Sequence, residues 1–563
     1  MISRRDFMQA AIAASALIGP GSRTLAQTAA TARLTQEQLL AFEPLGNVTL
    51  VHLTDIHAQL VPLHFREPSV NIGAGEAKGR APHLTGETFL KAFGIAPGSA
   101  EAYALTDFDY VELARTYGRM GGLDRIATII KAIRAGRGAK VLLLDGGDTW
   151  TNSWTALQTQ GQDMVDVMNL LRPDAMTGHW DFTLGERRVK EITAALPFPF
   201  LAQNIRDAEF DEPVFEAQRM LEAGGVKVAV IGQAFPYTPV SNPRWMMPQW
   251  SFGIREDDMR RQVSAARALG AALVVLLSHN GFDVDRKMAA RVPGIDVILS
   301  GHTHDAVPEV TRVGRTLIVA SGSHGKFVSR LDLDVQGGEV KDYRYRLIPV
   351  FADAIAPDAE VAAVIARHRV PYDALLKQVL GRTEQLLYRR GNVAGTLDDL
   401  FCDAIMAGRD AEIALSPGVR WGATLLPGQD ITFEDITNAC AITYPACYRT
   451  TMTGARLKEV MEDVADNLFN PDPYLQQGGD MVRTGGLGFT IDPSATIGNR
   501  ISELTLLRSG QPLDAVKEYT VAGWASVNEG SEGPPAWDVV GDYVRSRKTI
   551  DVKPNGAVKI VGT

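Results

Sequence analysis

Residues 48–57 read Val-Thr-Leu-Val-His-Leu-Thr-Asp-Ile-His, and this stretch decides the fold class. Its first seven residues, mostly apolar and β-branched, predict a buried strand. Asp55 and His57 follow that strand at once, and both are residue types that bind metal ions. Ligand sites of open α/β sheets lie beyond the carboxyl ends of the strands. The stretch therefore predicts an α/β protein with its site at one sheet edge.

The same arrangement recurs along the chain. Of the five clusters of His or Asp, four follow short runs rich in Val, Ile and Leu; the clusters are Asp55 and His57 in LTDIH, Asp148 in LLLDGGDTW, His179 in TGHWDF, His279 in LLSHNG, and His302 and His304 in SGHTH. A single histidine is more often a hydrogen-bonded structural residue, but their joint, ordered occurrence favours metal binding. Seven nitrogen and oxygen donors at one sheet edge suit two divalent ions, and Mn²⁺ is favoured over Zn or Fe.

Asp148 is the best candidate for a ligand shared by both ions. It lies in a Gly-Gly-Asp turn after a strand, and a carboxylate offers two oxygens and a negative charge. The pair His302 and His304 has the same i, i+2 spacing as Asp55 and His57. On an extended backbone, both side chains of such a pair point the same way. Three other histidines are candidates for lining the cleft: His64, His83 and His324.

Composition and charge narrow the class of protein. The 563 residues allow two or three domains, and 45% hydrophobic with 22% charged residues is typical of a globular protein. The formal net charge of −9 argues against general nucleic-acid binding. Residues 1–26 predict a twin-arginine signal peptide, with Arg4-Arg5, an apolar stretch too short for a membrane anchor, and a small-residue cleavage site. We expect periplasmic export; the alternative is a cytosolic start with two chance arginines.

The hydrophobic pattern predicts two parts joined by a helix. Strands and helices alternate up to about residue 350, as in βαβ units, and one of the strands is predicted over 198–203. Residues 60–118 lack this periodicity and are predicted to be a long functional insertion. Residues 356–379 predict one connecting helix, and the later part mixes short strands and helices. The predicted organisation is a catalytic domain over 27–350, a linker helix over 351–379 and an α+β substrate-binding domain over 380–563.

The cysteines lie away from the His and Asp clusters. Cys440 and Cys447 are close enough in sequence for a local disulfide, and buried free thiols are an equally good interpretation. Because the count of three is odd, at least one thiol, Cys402 in that pairing, stays unpaired within the chain.

This order of motifs resembles the calcineurin-like metallophosphoesterases and, within them, the 5′-nucleotidase family. The resemblance implies a four-layer αββα catalytic domain followed by a C-terminal α+β domain that supplies substrate-binding residues. It also implies a metal-ligand set, which falls on Asp55, His57, Asp148, His279, His302 and His304.

One motif departs from the family pattern. Where the family has Gly-Asn-His-Glu, this chain has Gly178-His179-Trp180-Asp181. His179 thus replaces a ligand asparagine, and Trp180 replaces the catalytic histidine. The aspartate that assists that histidine falls at Thr183. With HFREPSVNIG at 64–73, YGRMGG at 117–122, LSPGVRWG at 415–422 and GGDMVRTGG at 478–486, the pattern is similar to the sulfate thiohydrolase branch of the family.

That branch implies a metal-dependent hydrolase of thiosulfate oxidation. Its substrate would be a cysteine S-thiosulfonate on a sulfur-carrier protein with a flexible arm, and a hydroxide bridging two metals would release sulfate. A persulfide leaves without a proton donor, which would explain Trp180 in place of histidine. Arg420 and Arg483 are candidates for binding the sulfonate, with Asp480 orienting them. Trp180 would wall the site or pack beside it.

Two alternatives stay open at this stage. One is a periplasmic 5′-nucleotidase or phosphoesterase, which would need a histidine at position 180. The other is a non-catalytic scaffold that binds metal. Asp181 is one methylene shorter than the acid usual in the branch, and its role is open.

Overall fold

The computed structural model of the chain describes residues 34–554 and 556–562, so the predicted signal peptide over 1–26 lies outside the described residues. Within the described part, no helix combines the length and the apolar character that crossing a membrane requires.

Two sheets form the centre of the N-terminal part, residues 34–350. The first has five strands, in the spatial order Glu339–Pro349, Phe327–Gln336, Val48–Leu53, Val141–Asp145 and Ala175–Met176. The second has six, in the order Thr311–Val313, Thr316–Ala320, Val297–Ser300, Leu273–Ser278, Val226–Gln233 and Gln218–Ala223. The strands that precede the His and Asp clusters pair in parallel within each sheet, so their carboxyl ends share an edge.

The sheets pack face to face, with helices on both outer faces. Alternate residues of each strand point inward, and Leu50 and Leu144 of the first sheet share one core with Val230 and Val275 of the second. The intervening residues face helices: Leu123–Arg137 covers the first sheet, and Glu256–Ala268 with Phe282–Arg291 covers the second. This arrangement is the predicted four-layer αββα architecture.

The insertion over 60–118 is more ordered than its sequence predicts. It contains the helices Gly86–Phe93, Ala100–Leu105 and Tyr110–Tyr117. Their apolar side chains, such as Tyr103 and Leu113, pack into the same core as the first sheet. Short helices of about two turns carry too little periodicity to be recognised locally, and tertiary packing stabilises them. The remaining helices of the N-terminal part are Gln36–Leu40, Trp154–Thr159, Gln162–Leu171, Glu186–Ala195 and Thr238–Ser241.

Two element predictions were wrong. The strand predicted over 198–203 makes only single bridges, from Phe200 and Leu201, because Pro197 and Pro199 lack the N–H groups that a ladder needs. The helix predicted over 356–379 spans Ala359–Arg369. Pro371 follows it closely and cannot continue an α-helix, and a short helix, Asp373–Leu376, leads into the next strand.

The C-terminal part, residues 379–562, is α+β, as predicted. Its main sheet has the order Tyr448–Thr453, Glu518–Gly523, Ile413–Gly418 and Asp480–Gly485. Two three-stranded sheets flank it, Asp430–Thr432 with Val379–Thr383 and Thr549–Ile550, and Ile501–Leu506 with Leu487–Ile491 and Val558–Ile560. Its helices are Thr396–Arg409, Phe433–Cys440, Gly454–Leu468 and Ala536–Arg547. The three cysteines are buried free thiols, so Cys440 and Cys447 are not bridged.

Candidate metal centre

The seven predicted ligands form two adjacent buried groups. His179, His279 and His302 make one group, and Asp55, His57, Asp148 and His304 make the other. Within each group the candidate ligand atoms lie within 4.8 Å of one another. The side chains come from loops at the carboxyl ends of strands in both sheets, so the sandwich brings together residues that are far apart in sequence.

Asp148 faces both groups. Its Oδ2 atom lies 3.2 Å from Nε2 of His279 and 3.5 Å from Nδ1 of His179 in one group. The same oxygen lies 3.7 Å from Nε2 of His57 in the other group. Its Oδ1 atom accepts a hydrogen bond from the Trp180 N–H at 2.6 Å. The position between the groups fits the shared role that the sequence predicts for this carboxylate.

Asp55 and His304 complete the second group. Nε2 of His304 lies 2.9 Å from Nε2 of His57 and 3.3 Å from Oδ1 of Asp55. The His302 N–H donates to both Asp55 oxygens, at 3.1 and 3.0 Å. Two imidazole nitrogens and a carboxylate thus converge on one point.

Tight turns, and not extended backbone, present most of these ligands. The φ angle is positive at Asp55 (52°), His57 (50°), Asp148 (56°), His302 (77°) and His304 (60°). The prediction of an extended backbone at His302 and His304 was therefore wrong. Because the chain turns between them, His302 joins one group and His304 the other. Asp and His tolerate this left-handed region better than most residues, although it remains strained.

The donor set and its unpaired atoms fit two cations. Among the described residues, Nε2 of His279 and Nδ1 of His179, which both face Asp148, are buried without a hydrogen-bond partner. Buried polar atoms normally have a partner, and imidazole with carboxylate is a common ligand set for divalent ions. Nδ1 of His279 pairs with the Gly146 carbonyl at 2.6 Å, which leaves Nε2 free for a metal.

A hydrogen bond to a residue outside the two groups orients the ring of His57, as the Gly146 carbonyl does for His279. Its Nδ1 lies 3.1 Å from Oδ1 of Asn152. Sequence reasoning missed Asn152, because an asparagine four residues beyond Asp148 carries no local signal of its role. The contact directs Nε2 of His57 into the centre.

The pKa values of the ionisable groups in the centre are strongly shifted. Burial would raise the pKa of Asp148, but the imidazoles of His279 and His179 outweigh it and hold that pKa well below its ordinary value. Burial lowers the pKa of His302 and of His304 well below the usual range, and neighbouring imidazoles add to the effect. Both rings are therefore neutral near pH 7, which is the form that binds metal.

A cavity opens beside His302, where the two parts of the chain meet. The insertion contributes Asn71, Pro82 and His83 to its lining, the turn contributes His302, Thr303 and Asp305, and the C-terminal part contributes Arg390, Asn392, Arg420, Gly478 and Gly479. His83 is the one of the three cleft candidates that lines this cavity. His324 instead stacks on Phe65, with ring centroids 3.8 Å apart, and His64 lies 3.3 Å from the Tyr103 hydroxyl.

The predicted arginines lie at different depths. Arg420 lines the cavity; its Nε donates to Asp480 at 3.2 Å and its guanidinium also donates to the carbonyls of His302 and Gly479. Arg483 is buried behind Asp480 and pairs with Asp398 at 3.1 Å, so it is not in the cavity lining. Asp480 contacts both arginines, which fits the predicted orienting role. Arg390, in a stretch with no motif, was missed.

Known proteins resemble this chain in sequence and in fold. A family model described as "5'-nucleotidase, C-terminal domain" matches residues 379–540. The rat 5′-nucleotidase is 24% identical over 469 residues, which are 74% of this chain and 78% of the rat protein. A 5′-nucleotidase precursor from Thermus thermophilus has a TM-score of 0.73 at 20% identity, covering 92% of this chain and all of that one. At that identity the likeness shows the fold alone.

One solved structure decides the family. The sulfate thiohydrolase SoxB of Thermus thermophilus is 39% identical to this chain, with a TM-score of 0.90. The match covers 93% of this chain and 98% of the Thermus chain. The chain belongs to the SoxB family. SoxB and the 5′-nucleotidases are both hydrolases that share this fold, so the buried His and Asp groups are the candidate dimetal site of a metal-dependent hydrolase.

In this SoxB-family chain, Trp180 lies in an aromatic wall beside the centre. Its ring is 4.7 Å from that of Trp421 in an edge-to-face contact and 6.0 Å from that of Tyr444. Trp421 in turn lies 5.1 Å from the His57 ring. Trp421 and Tyr444 were not singled out in the sequence, although Trp421 directly follows Arg420.

Asp181 does not face the SoxB-family metal site. Its carboxylate accepts backbone N–H groups of Asp148 (3.0 Å), Thr149 (3.1 Å), Trp150 (2.8 Å) and His179 (3.3 Å). Burial and the Asp148 charge raise the pKa of Asp181 to about 6. The aspartate thus positions two candidate ligands through their backbone and has no contact with the cavity.

Proposed function

We propose that this SoxB-family hydrolase releases sulfate from a cysteine S-thiosulfonate on a SoxYZ-like carrier protein, as a step of thiosulfate oxidation. One observation carries the proposal: the chain matches a solved sulfate thiohydrolase over nearly its whole length. The presence of Trp180 beside candidate ligand His179 agrees with it. An indole has no proton to give at neutral pH, so a leaving group that needs no proton suits this site.

The proposed reaction meets that requirement. Written with balanced atoms and charge, it is Cys–S–S–SO3⁻ + H2O → Cys–S–S⁻ + SO4²⁻ + 2H⁺. The bond between the sulfane and sulfonate sulfurs breaks, an S–O bond forms, and the sulfane sulfur keeps the electron pair. The persulfide anion is a stable leaving group, whereas the alkoxide of a phosphate ester usually requires protonation, a contribution of about 10²–10⁴-fold to the rate.

The seven His and Asp side chains are the groups that would hold two divalent ions, with Mn²⁺ favoured. Such ions would supply an activated water and would neutralise charge on the sulfonate. Asp148 would hold both ions, because the same oxygen faces His57 and His279. Asn152 and the Gly146 carbonyl would keep the imidazoles of these two histidines oriented.

Anion binding is proposed for the cavity beside His302. A guanidinium has five N–H groups; Arg420 uses one toward each of Asp480, His302 and Gly479. Two N–H groups remain for a sulfonate, and Asp480 fixes the plane of the fork. Arg483 supports Asp480 from behind. This is a narrower role than direct sulfonate binding.

The surroundings support a substrate on a narrow arm. The insertion supplies one wall of the cavity, through Asn71, Pro82 and His83. Trp180, Trp421 and Tyr444 form an aromatic cluster on the His57 side of the centre. A carrier peptide that ends in a modified cysteine would reach such a site, where a folded surface would not. We further propose a periplasmic location, reached by the twin-arginine route.

The deciding experiment is sulfate release from a thiosulfonate-loaded carrier. The purified chain, loaded with Mn²⁺, is mixed with the carrier, and sulfate is measured by ion chromatography beside AMP hydrolysis. We expect sulfate release that stops after EDTA treatment, with no AMP turnover. Robust AMP turnover without sulfate release would favour a 5′-nucleotidase. Bound metal with neither activity would favour the non-catalytic scaffold.

A further inference from the structure

We infer that residues of the C-terminal part hold the turn from His302 to His304 in its metal-binding conformation, so that Arg390, Arg420 and Gly478 act as positioning residues for a metal centre built by the N-terminal part. This inference rests on the proposed metal centre, and it names the contacts that would set the metal affinity of that centre.

The turn needs external support. Both His302 and His304 have positive φ angles, 77° and 60°, and non-glycine residues in this region carry strain of about 1–3 kcal/mol each. Such strained positions persist only where the surroundings determine them. Since the turn sends His302 to one group and His304 to the other, relaxation of the strain would remove at least one ligand.

Two arginines of the C-terminal part donate hydrogen bonds to successive backbone carbonyls of this turn. Arg420 donates to the His302 carbonyl at 3.2 Å, and Arg390 donates to the Thr303 carbonyl at 3.0 Å. Arg390 also lies 3.5 Å from Oδ1 of Asp305, with its side chain only 4% exposed. Because each donor is charged and at least partly buried, these bonds are stronger than ordinary ones. The backbone on both sides of Thr303 is thereby fixed from across the interface.

Gly478 fixes the ring of His302 from the same side. A Cβ atom at Gly478 would lie 2.0 Å from Nε2 of His302, 2.9 Å from Cε1 and 3.1 Å from Cδ2. Because the two ring carbons that flank Nε2 are nearly equidistant from this Cβ position, it lies close to the line along which Nε2 would donate or accept a hydrogen bond. The glycine therefore lies directly against the edge of the ring, and a methyl group there would force the imidazole or the loop to move.

Gly479 provides a matched control. Its φ angle of 83° is close to the 75° of Gly478, so alanine would meet similar backbone strain at either position. A Cβ atom at Gly479, however, would have nothing nearer than the Gly418 carbonyl oxygen, at 3.9 Å. A difference between the two alanine variants therefore reports the contact with His302.

The test measures Mn²⁺ binding to the full chain. The wild type and the variants G478A, G479A and R390A are stripped with EDTA, titrated calorimetrically with MnCl2 and assayed for bound manganese. We expect G478A and R390A to bind the weaker of the two ions about 10–100-fold less tightly, the usual effect of losing a group that orients a ligand. G479A should bind it within about threefold of wild type, with the melting temperatures of the metal-free glycine variants alike.

Three outcomes would overturn the inference: wild-type affinity in G478A, equal losses in the two glycine variants, or wild-type affinity in R390A. R390A adds no atoms, so it keeps the test decisive if G478A does not fold. Metal affinity is independent of the substrate. A loss of affinity as expected, together with no sulfate release by wild type, would reject the proposed function alone.

Discussion

Replacing Lys326 with methionine tests how the insertion is anchored to the catalytic core. Lys326 ends the turn that begins at Ser323 and directly precedes the strand Phe327–Gln336. Its Nζ lies 2.5 Å from Oε1 of Glu67 in the insertion. Nζ also donates to the carbonyls of Phe65 and Ala104, each at 3.0 Å. The two charged side chains are 1% and 6% exposed. This buried ion pair therefore joins the insertion to the sandwich.

The distance and the burial of the Lys326–Glu67 pair set the loss of stability expected for K326M. At 2.5 Å and an effective dielectric constant of about 20, the pair attracts with roughly 7 kcal/mol before desolvation is counted. Removing one partner of a buried pair leaves the other charge unpaired, which lowers the free energy of unfolding by about 3–5 kcal/mol. K326M should show that loss. The double variant K326M/E67Q, which buries no charge, should recover about half of it or more.

Urea unfolding of the metal-free protein, followed by circular dichroism and tryptophan fluorescence, measures these changes. A loss below about 1 kcal/mol in K326M, or a double variant less stable than K326M, would refute the reasoning. Deletion of residues 60–118 is a poorer test, because the helices of the insertion contribute to the main core.

Three further predictions concern the site. Asp148→Asn should bind less than one manganese per chain by elemental analysis with its circular dichroism unchanged, since one oxygen of Asp148 serves both groups; two bound ions would contradict this. Trp180→His should gain hydrolysis of AMP, whose ribose alkoxide requires a proton as it leaves, by about 10²-fold over Trp180→Phe, and equal rates in the two variants would count against the proton-donor argument. Burial lowers the pKa of His83, but its 2.8 Å contact with Asp283 outweighs burial, so that pKa is raised. A histidine whose pKa is raised in the folded state stabilises the fold fully below its unfolded pKa of about 6.5, and this stabilisation is lost as pH rises through the folded pKa. His83→Gln should therefore lower the free energy of unfolding more at about pH 5.5 than at about pH 9. Equal losses at the two pH values would show that the charge of the pair contributes nothing to stability.

Short stretches of the sequence predict much of the fold and of the candidate site. Runs such as 273–277 are apolar throughout because both faces of a central strand are covered, and they predict strands without knowledge of the partner. In four of the five clusters, Asp and His types directly follow such runs, and this placement predicts the sheet edge at which the candidate ligands meet. The helix Glu256–Ala268 likewise shows its periodicity. Resemblance to a family then supplied the four-layer order of these elements.

The tertiary structure alone decided how those residues are used. It divided His302 and His304 between two groups, put Arg483 behind Asp480, and brought Arg390 to the carbonyl of Thr303, 87 residues away. Whether a segment forms a strand or a helix depends on the spacing of apolar residues along it, and a single sequence shows that spacing. The path of a tight turn and the depth of a charged side chain depend on contacts between distant segments, and these contacts leave no periodic signal in the chain.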